Sequence, residues 1–333
     1  MNPPTPAPLP PPPSSQDALR GTITVLLTLV GWSSVPLFIK WFTDDLDFWT
    51  QNGWRYGFSA LIWLPLVLWL VARRRLPAGI LRAAVVPSAL NIIAQTVFCM
   101  GFYHIGPGLM TFGLRLQIAF VALGAFILFP AERAVIRSRV YLTGMTLVFC
   151  GSIGTLLLGN LVQGATPEGV ALAVTSGLLF ASYALSVRRF MARFPSVTSF
   201  AVISQYTAIV LVLMMLLVGR HSGADALSMP GGHFAFLLVS AVVGIALGHV
   251  FYYISINSLG VAVSAGVIQL QPFVVAAFSA SLFNEHLSPL QWSCGGLAIS
   301  GAFMMLWIQR RITRRQREAL AFALPLAPAP PAR

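Results

Sequence analysis

The sequence predicts an all-α integral membrane protein with ten transmembrane helices in two inverted five-helix repeats. Three observations carry this expectation. Of 333 residues, 57% are hydrophobic and only 9% are charged, against roughly 25% charged in a soluble domain. Ten stretches are long and apolar enough to cross a bilayer, which takes about 20 residues. Two of those stretches, within 104–133 and 258–286, follow one template. Gly106 matches Gly260, Leu116-Gln117 matches Leu270-Gln271, Phe129 matches Phe283, and each stretch closes on a carboxylate, Glu132 or Glu285.

The elements follow in order. Residues 1–19 are a Pro-rich tail, expected to be disordered and cytoplasmic. They lack the basic start and the small-residue cleavage site of a signal peptide. The first repeat, 20–160, carries spans at 21–41, 47–72, 82–103, 106–130 and 139–160. The second repeat, 161–309, carries spans at 168–189, 197–219, 233–256, 261–284 and 288–308. The tail 310–333 is basic, then rich in Pro and Ala, with its end expected to be disordered.

Charge placement sets the topology. With the N-terminus inside, the inner ends collect Arg20, Arg73–75, Arg82, Arg133, Arg137, Arg139, Arg188, Arg189, Arg193 and the six arginines from Arg310 to Arg333. The outer ends hold only Lys40 and Arg220, beside Asp44, Asp45 and Asp47. Both termini are therefore expected on the cytoplasmic side of a cell (inner or plasma) membrane. The net charge of +12 is a topology signal here and gives no reason to expect nucleic acid.

The duplication extends beyond the twin stretches. Trp32-Ser33-Ser34 resembles Phe180-Ala181-Ser182, Arg55-Tyr56 falls on Gln205-Tyr206, and Gln95 falls on His249. Five spans is an odd number, so the second half enters from the opposite side. Two inverted halves can exchange conformations, which gives alternating access around a shared site near the midplane.

These residues resemble the drug/metabolite transporter superfamily, EamA type, over about residues 20–309. The likeness is carried by Gly31-Trp32, Arg55, the small-residue openings of spans four and nine, Glu132-Arg133, Glu285-His286-Leu287 and the run from Gln269 to Phe273. The resemblance implies a secondary transporter, commonly an exporter of amino acids or related small metabolites. Its usual Trp-Gly order is reversed at Gly31-Trp32, and Arg115 is not expected in span four.

Arg55 and Arg115 are the conspicuous residues. Counted from Asp47 and Gly106, they lie about 12 and 14 Å deep, and a buried charge there costs about 2.5–3.5 kcal/mol on insertion scales. Every Asp and Glu lies in a tail, a loop or a span end. Both arginines are expected to bind a substrate carboxylate or phosphate; the competing reading has Arg55 bonding carbonyls at a neighbouring helix break. Gln95 shares their layer, and Gln205, His249 and Gln271 form the matching layer from the inner side. His249 reads either as a proton-coupling group or as a neutral core ring. Gln117, Gln269 and Gln271 read polar substrate groups or bond between helices. Gln269 and Gln271 are two residues apart, so at most one is expected to face a cavity. Pro272 frees a backbone carbonyl. Trp32 and Tyr206 are candidates for an apolar side pocket. Glu132 and Glu285 are either gating groups or solvated span ends.

No cofactor is expected, and the three cysteines lack metal-site or disulfide spacing. Converging catalytic groups are missing, so an enzyme is not expected. The expected partners are a small anionic or zwitterionic metabolite and membrane lipids, with the oligomeric state open. The alternatives are a lipid-carrier flippase and a non-transporting membrane sensor.

Overall fold

A computed structural model describes residues 15–162, 165–259 and 261–323. Among these residues every regular element is helical. Nine helical segments among the described residues are long and apolar enough to cross a membrane: Gln16–Trp41, Phe48–Ala72, Ile80–Gly101, Pro107–Leu128, Arg139–Leu158, Pro167–Met191, Ser196–Val218, Gly231–Leu259 and Val263–Phe283. Both tail ends expected to be disordered, 1–14 and 324–333, lie outside the described residues.

Helix α1 (Ser15–Trp41) starts inside the expected tail, with Asp17 in its first turn, where an acid favours the helix dipole. Helix α2 (Phe48–Ala72) starts where Asp47 accepts hydrogen bonds from the Trp49 and Thr50 N–H groups at 2.9 and 3.1 Å. Helix α3 (Ile80–Gly101) follows Gly79. The fourth span comes in two pieces, α4 (Pro107–Leu114) and α5 (Leu116–Leu128). Helices α6 (Arg139–Val162), α7 (Pro167–Ser186) and α8 (Ser196–Val218) follow. The eighth span joins α9 (Gly231–Ser240) to α10 (Gly248–Leu259) through a π-helical stretch, Ala241–Leu247. The ninth is also broken, into α11 (Val261–Ile268) and α12 (Gln271–Phe283).

The tenth expected span falls on α13 (Pro289–Ala323), a 35-residue helix. It is not among the nine, because Gln291, Ser293, Gly295 and Gly296 dilute its apolar half. It also runs through the basic stretch, so residues 310–323 continue a helix instead of leaving it as a tail.

Helix α13 packs along α6, α2 along α8, α3 along α7, α1 along α10 and α4 along α12. The α6–α13 contact is close: a Cβ on Gly144 would lie 2.7 Å from the Gly301 carbonyl oxygen. Leu61, Ile127 and Leu217 are 62, 70 and 71% exposed. Such an apolar exterior suits lipid and not water.

The two ends of the bundle differ. At one end Lys40 Nζ donates to the Phe102 carbonyl at 2.9 Å, and His104 pairs with Glu168 at 3.4 Å. There Arg220 bonds the Asp47 carboxylate through its backbone N–H at 3.0 Å and the Asp45 carbonyl through Nη2 at 2.6 Å. At the other end Glu132 pairs with Arg188, and Arg193 lies against Gly79.

Candidate functional site

The site grows out of two helix breaks. Pro272 is the second residue of α12 and has no N–H, so the Ile268 carbonyl loses its helical partner. The ninth span breaks there, at Gln269-Leu270. The fourth span breaks at the matching residue, Arg115, where tightened turns replace the regular ladder. The Arg115 N–H bonds the Phe112 carbonyl, and the Ile118 N–H bonds the Arg115 carbonyl, each at 3.1 Å.

Arg115 bridges the two breaks. Its Nη1 donates to the freed Ile268 carbonyl at 3.3 Å and to Gln269 Oε1 at 3.4 Å, and its Nη2 donates to Gln271 Oε1 at 2.8 Å. Gln271 Nε2 donates onward to the Trp32 carbonyl at 2.7 Å, which ties in α1. The Trp32 ring packs against Tyr252 at 5.0 Å and His249 at 5.4 Å between centroids. Arg115, Gln271, Trp32 and His249 therefore form one connected group.

The guanidinium is 8% exposed, and every acceptor it meets is neutral. Its Nε is buried without an acceptor among the described residues. Carbonyl bonding at a helix break, the competing reading for Arg55, is found at Arg115.

The sequence leads one to expect at most one of Gln269 and Gln271 to face a cavity. Residues two apart diverge on a continuous helix, but the break falls between these two, and both reach Arg115.

The other candidates are placed elsewhere. Arg55, 2% exposed, donates from Nε to Ser240 Oγ at 3.0 Å, just before the π-helical stretch. Gln205 Nε2 donates to the Ala60 carbonyl at 2.9 Å and ties α8 to α2. The Gln95 carbonyl accepts from Asn52 Nδ2 at 3.3 Å, and its amide reaches Asn91 Oδ1 at 3.5 Å. These are bonds between and within helices. Tyr206 packs in a side cluster with Ile80, Met191 and Val202. Gln117 is half-buried. His249 Nδ1 lies 3.0 Å from the Ile245 carbonyl and its ring stacks on Phe200 at 4.4 Å, the arrangement of a bonded core ring.

Glu285 is not a solvated span end. Its carboxylate is 8% exposed and accepts the N–H groups of Gly108 at 2.7 Å and Leu109 at 2.9 Å, together with the Ser279 hydroxyl. Asn284, in the left-handed conformation at φ 54°, ends α12 and turns the chain toward α4. An anion at a helix N-terminus is favourable. A Cβ on Gly106 would overlap the carboxylate, so glycine is required for this approach. Glu132, its partner in the repeat, instead pairs with Arg188 at the surface. A cavity of about 560 Å³ opens beside the clasp, bordered by Lys40, Tyr103, His104 and His286. Burial pushes the Tyr103 phenol above its ordinary range, so it stays a donor, to the Leu46 carbonyl.

Sequence reasoning did not single out Tyr252 or Ser240. No spacing signal marks either, since both reach the polar groups only through the packing of the eighth span.

Residues 167–307 match the model of the EamA-like transporter family. Among curated proteins none matches the chain. A solved structure titled "Crystal structure of protein" is similar over 90% of this chain and 99% of its own, with a TM-score of 0.59 and 16% identity. That likeness concerns the fold alone.

Proposed function

We propose that this chain, whose residues 167–307 match the model of the EamA-like transporter family, is a multi-pass membrane transporter of the drug/metabolite transporter superfamily that carries a small anionic or zwitterionic metabolite by alternating access, as an exporter. The observation that carries the reading is Arg115. It is a permanently charged group at the meeting point of two broken membrane helices, bonded only to neutral oxygens. Broken helices that meet near the midplane are where transporters of this architecture bind cargo and coupling ions.

The proposed architecture is ten spans, with α13 as the tenth, in two inverted halves. The packing supports it. Exchanging span one with six, two with seven, and so on maps the α6–α13 and α2–α8 pairs onto themselves. The same exchange swaps α3–α7 with α1–α10. The proposed orientation has both termini on the cytoplasmic side of a cell (inner or plasma) membrane, which follows the arginine distribution. The end holding Glu285 is then external.

The two ends of the site are not alike. The outer half-helices α4 and α12 pack together, and Glu285 clasps them. The inner half-helix α5 packs on α6 and α7, whereas α11 packs on α1, α10 and α13. The reading takes this as the state closed outside, with Glu285 as the outer gate and Glu132 as its inner counterpart. Arg55 belongs to the support of the eighth span, through Ser240.

Flux through purified protein in liposomes tests the function, with a panel of amino acids, organic acids and sugar phosphates. Counterflow of at least one member, abolished by Arg115→Ala, is expected. Silence across the panel with lipid scrambling present would show a flippase instead.

A further inference from the structure

We infer that the cargo of the Arg115 centre is a monoanion without a cationic group, an organic carboxylate with an apolar body and not an amino acid. The inference rests on the transporter reading above and narrows its substrate class.

The first argument is charge balance. Arg115 cannot lose its proton to escape burial, and an uncompensated charge within the bilayer is costly. Its three acceptors, the Ile268 carbonyl and the side-chain oxygens of Gln269 and Gln271, carry no charge. One ligand of charge −1 neutralises the centre.

The second is donor geometry. Nε has no acceptor among the described residues, and Nε–H shares an edge of the planar group with Nη2. That edge is a fork which a carboxylate accepts bidentately.

The third is that the centre offers no free carboxylate to an ammonium group. Among the described residues the buried charged side chains are Arg55, Arg115 and Glu285. Glu285 is committed to Gly108, Leu109 and Ser279. It stands at the opposite end of α4, about 12 Å away at 1.5 Å per residue. The backbone carbonyls in contact with the group each already have a partner: Ile268 accepts from Arg115, Trp32 accepts from Gln271, and Ile245 lies against His249 Nδ1. An α-ammonium next to a bound carboxylate would lie close to the guanidinium, and like charges in a dry site repel. The ring wall of Trp32, Tyr252 and His249 instead suits an uncharged, apolar body.

Matched pairs test this with the full chain in nanodiscs, by isothermal titration. Each pair shares a skeleton and differs by the ammonium: propanoate and alanine, 4-methylpentanoate and leucine, 3-phenylpropanoate and phenylalanine. At least one acid is expected to bind tenfold or more tightly than its amino acid. Arg115→Ala is expected to abolish that binding, and Arg115→Lys, which keeps the charge and loses the fork, to restore part of it. An amino acid that binds as well as its acid overturns this inference and leaves the transporter reading standing. Acid binding that survives Arg115→Ala at wild-type strength overturns the assignment to Arg115. Silence across all pairs contradicts both this inference and the anionic or zwitterionic cargo beneath it.

Discussion

The Glu285 carboxylate accepts the backbone N–H of Gly108 at 2.7 Å, across 177 positions of sequence. With Leu109 as its second donor, Glu285 closes the N-terminus of one broken half-helix from just beyond the end of the other. Arg115 occupies the far end of that same half-helix and bonds Gln271, where α12 begins. Half-helices α4 and α12 are thus fastened to each other at both ends.

Removing the outer fastening has a defined consequence. Glu285→Ala leaves two buried N–H groups without acceptors, a loss on the order of 1–3 kcal/mol. A lower Tm is expected, together with faster labelling of a Leu109→Cys probe by an impermeant maleimide applied from outside. Gly106→Ala acts in the same direction, because its Cβ overlaps the carboxylate. Gly108→Ala is milder, with its Cβ 3.0 Å from Oε2. Labelling unchanged in both Glu285→Ala and Gly106→Ala would remove the gate.

Pro272→Ala supplies the N–H that Ile268 lacks. The ninth span then gains a regular helical bond that competes with Arg115 for one carbonyl. Slower counterflow and stronger amide-exchange protection around residues 268–273 are expected. If exchange in that stretch does not change, Pro272 is not what breaks the helix.

Ser240→Ala separates support from binding. It strips Arg55 Nε of its acceptor without touching the Arg115 group. Reduced stability is expected, by about 1–3 kcal/mol for an orphaned buried donor, with ligand affinity within twofold of wild type. A tenfold loss of affinity at unchanged stability would move Arg55 into the binding site.

Most of the scaffold was legible in the sequence because bilayer length and charge placement are coarse signals. Nine expected spans match helices of the right length, and the repeat pairs Arg115 with Gln269, the two positions at which the spans break. What the sequence concealed depends on backbone geometry. Glu285 looked like a span end because its donors lie 177 and 176 positions away. Gln269 looked misdirected because a regular helix was assumed through Pro272. Gln205 looked like a site residue by repeat position, yet its amide is used on the Ala60 carbonyl. Depth in the membrane says how far a polar group lies from the surface, and nothing about which helix it faces.

The outer loop pairing makes a pH prediction. Hydrogen bonds from Arg220, then from His221, hold the Asp225 carboxyl below the ordinary value of 3.8. A depressed carboxyl contributes stability that is present above its unfolded value and is lost as pH falls through the folded one. Loop protection at 219–229, followed by amide exchange corrected for its intrinsic pH dependence, is therefore expected to stay level from pH 7 to 5. It should decline only at pH values below about 4. Asp225→Asn is expected to remove the decline; a transition already complete at pH 5 would exclude this carboxyl as its source.

The central claim is that Arg115 receives the cargo's negative charge on the edge that carries its unpartnered Nε–H. The side-chain Nε–H signal of Arg115, recorded by nitrogen-15 NMR in nanodiscs and assigned by its loss in Arg115→Lys, reads that edge directly. Saturation with the tightest-binding carboxylate is predicted to shift the signal downfield and slow its exchange with water. A signal that stays in place while the ligand is bound would contradict the account.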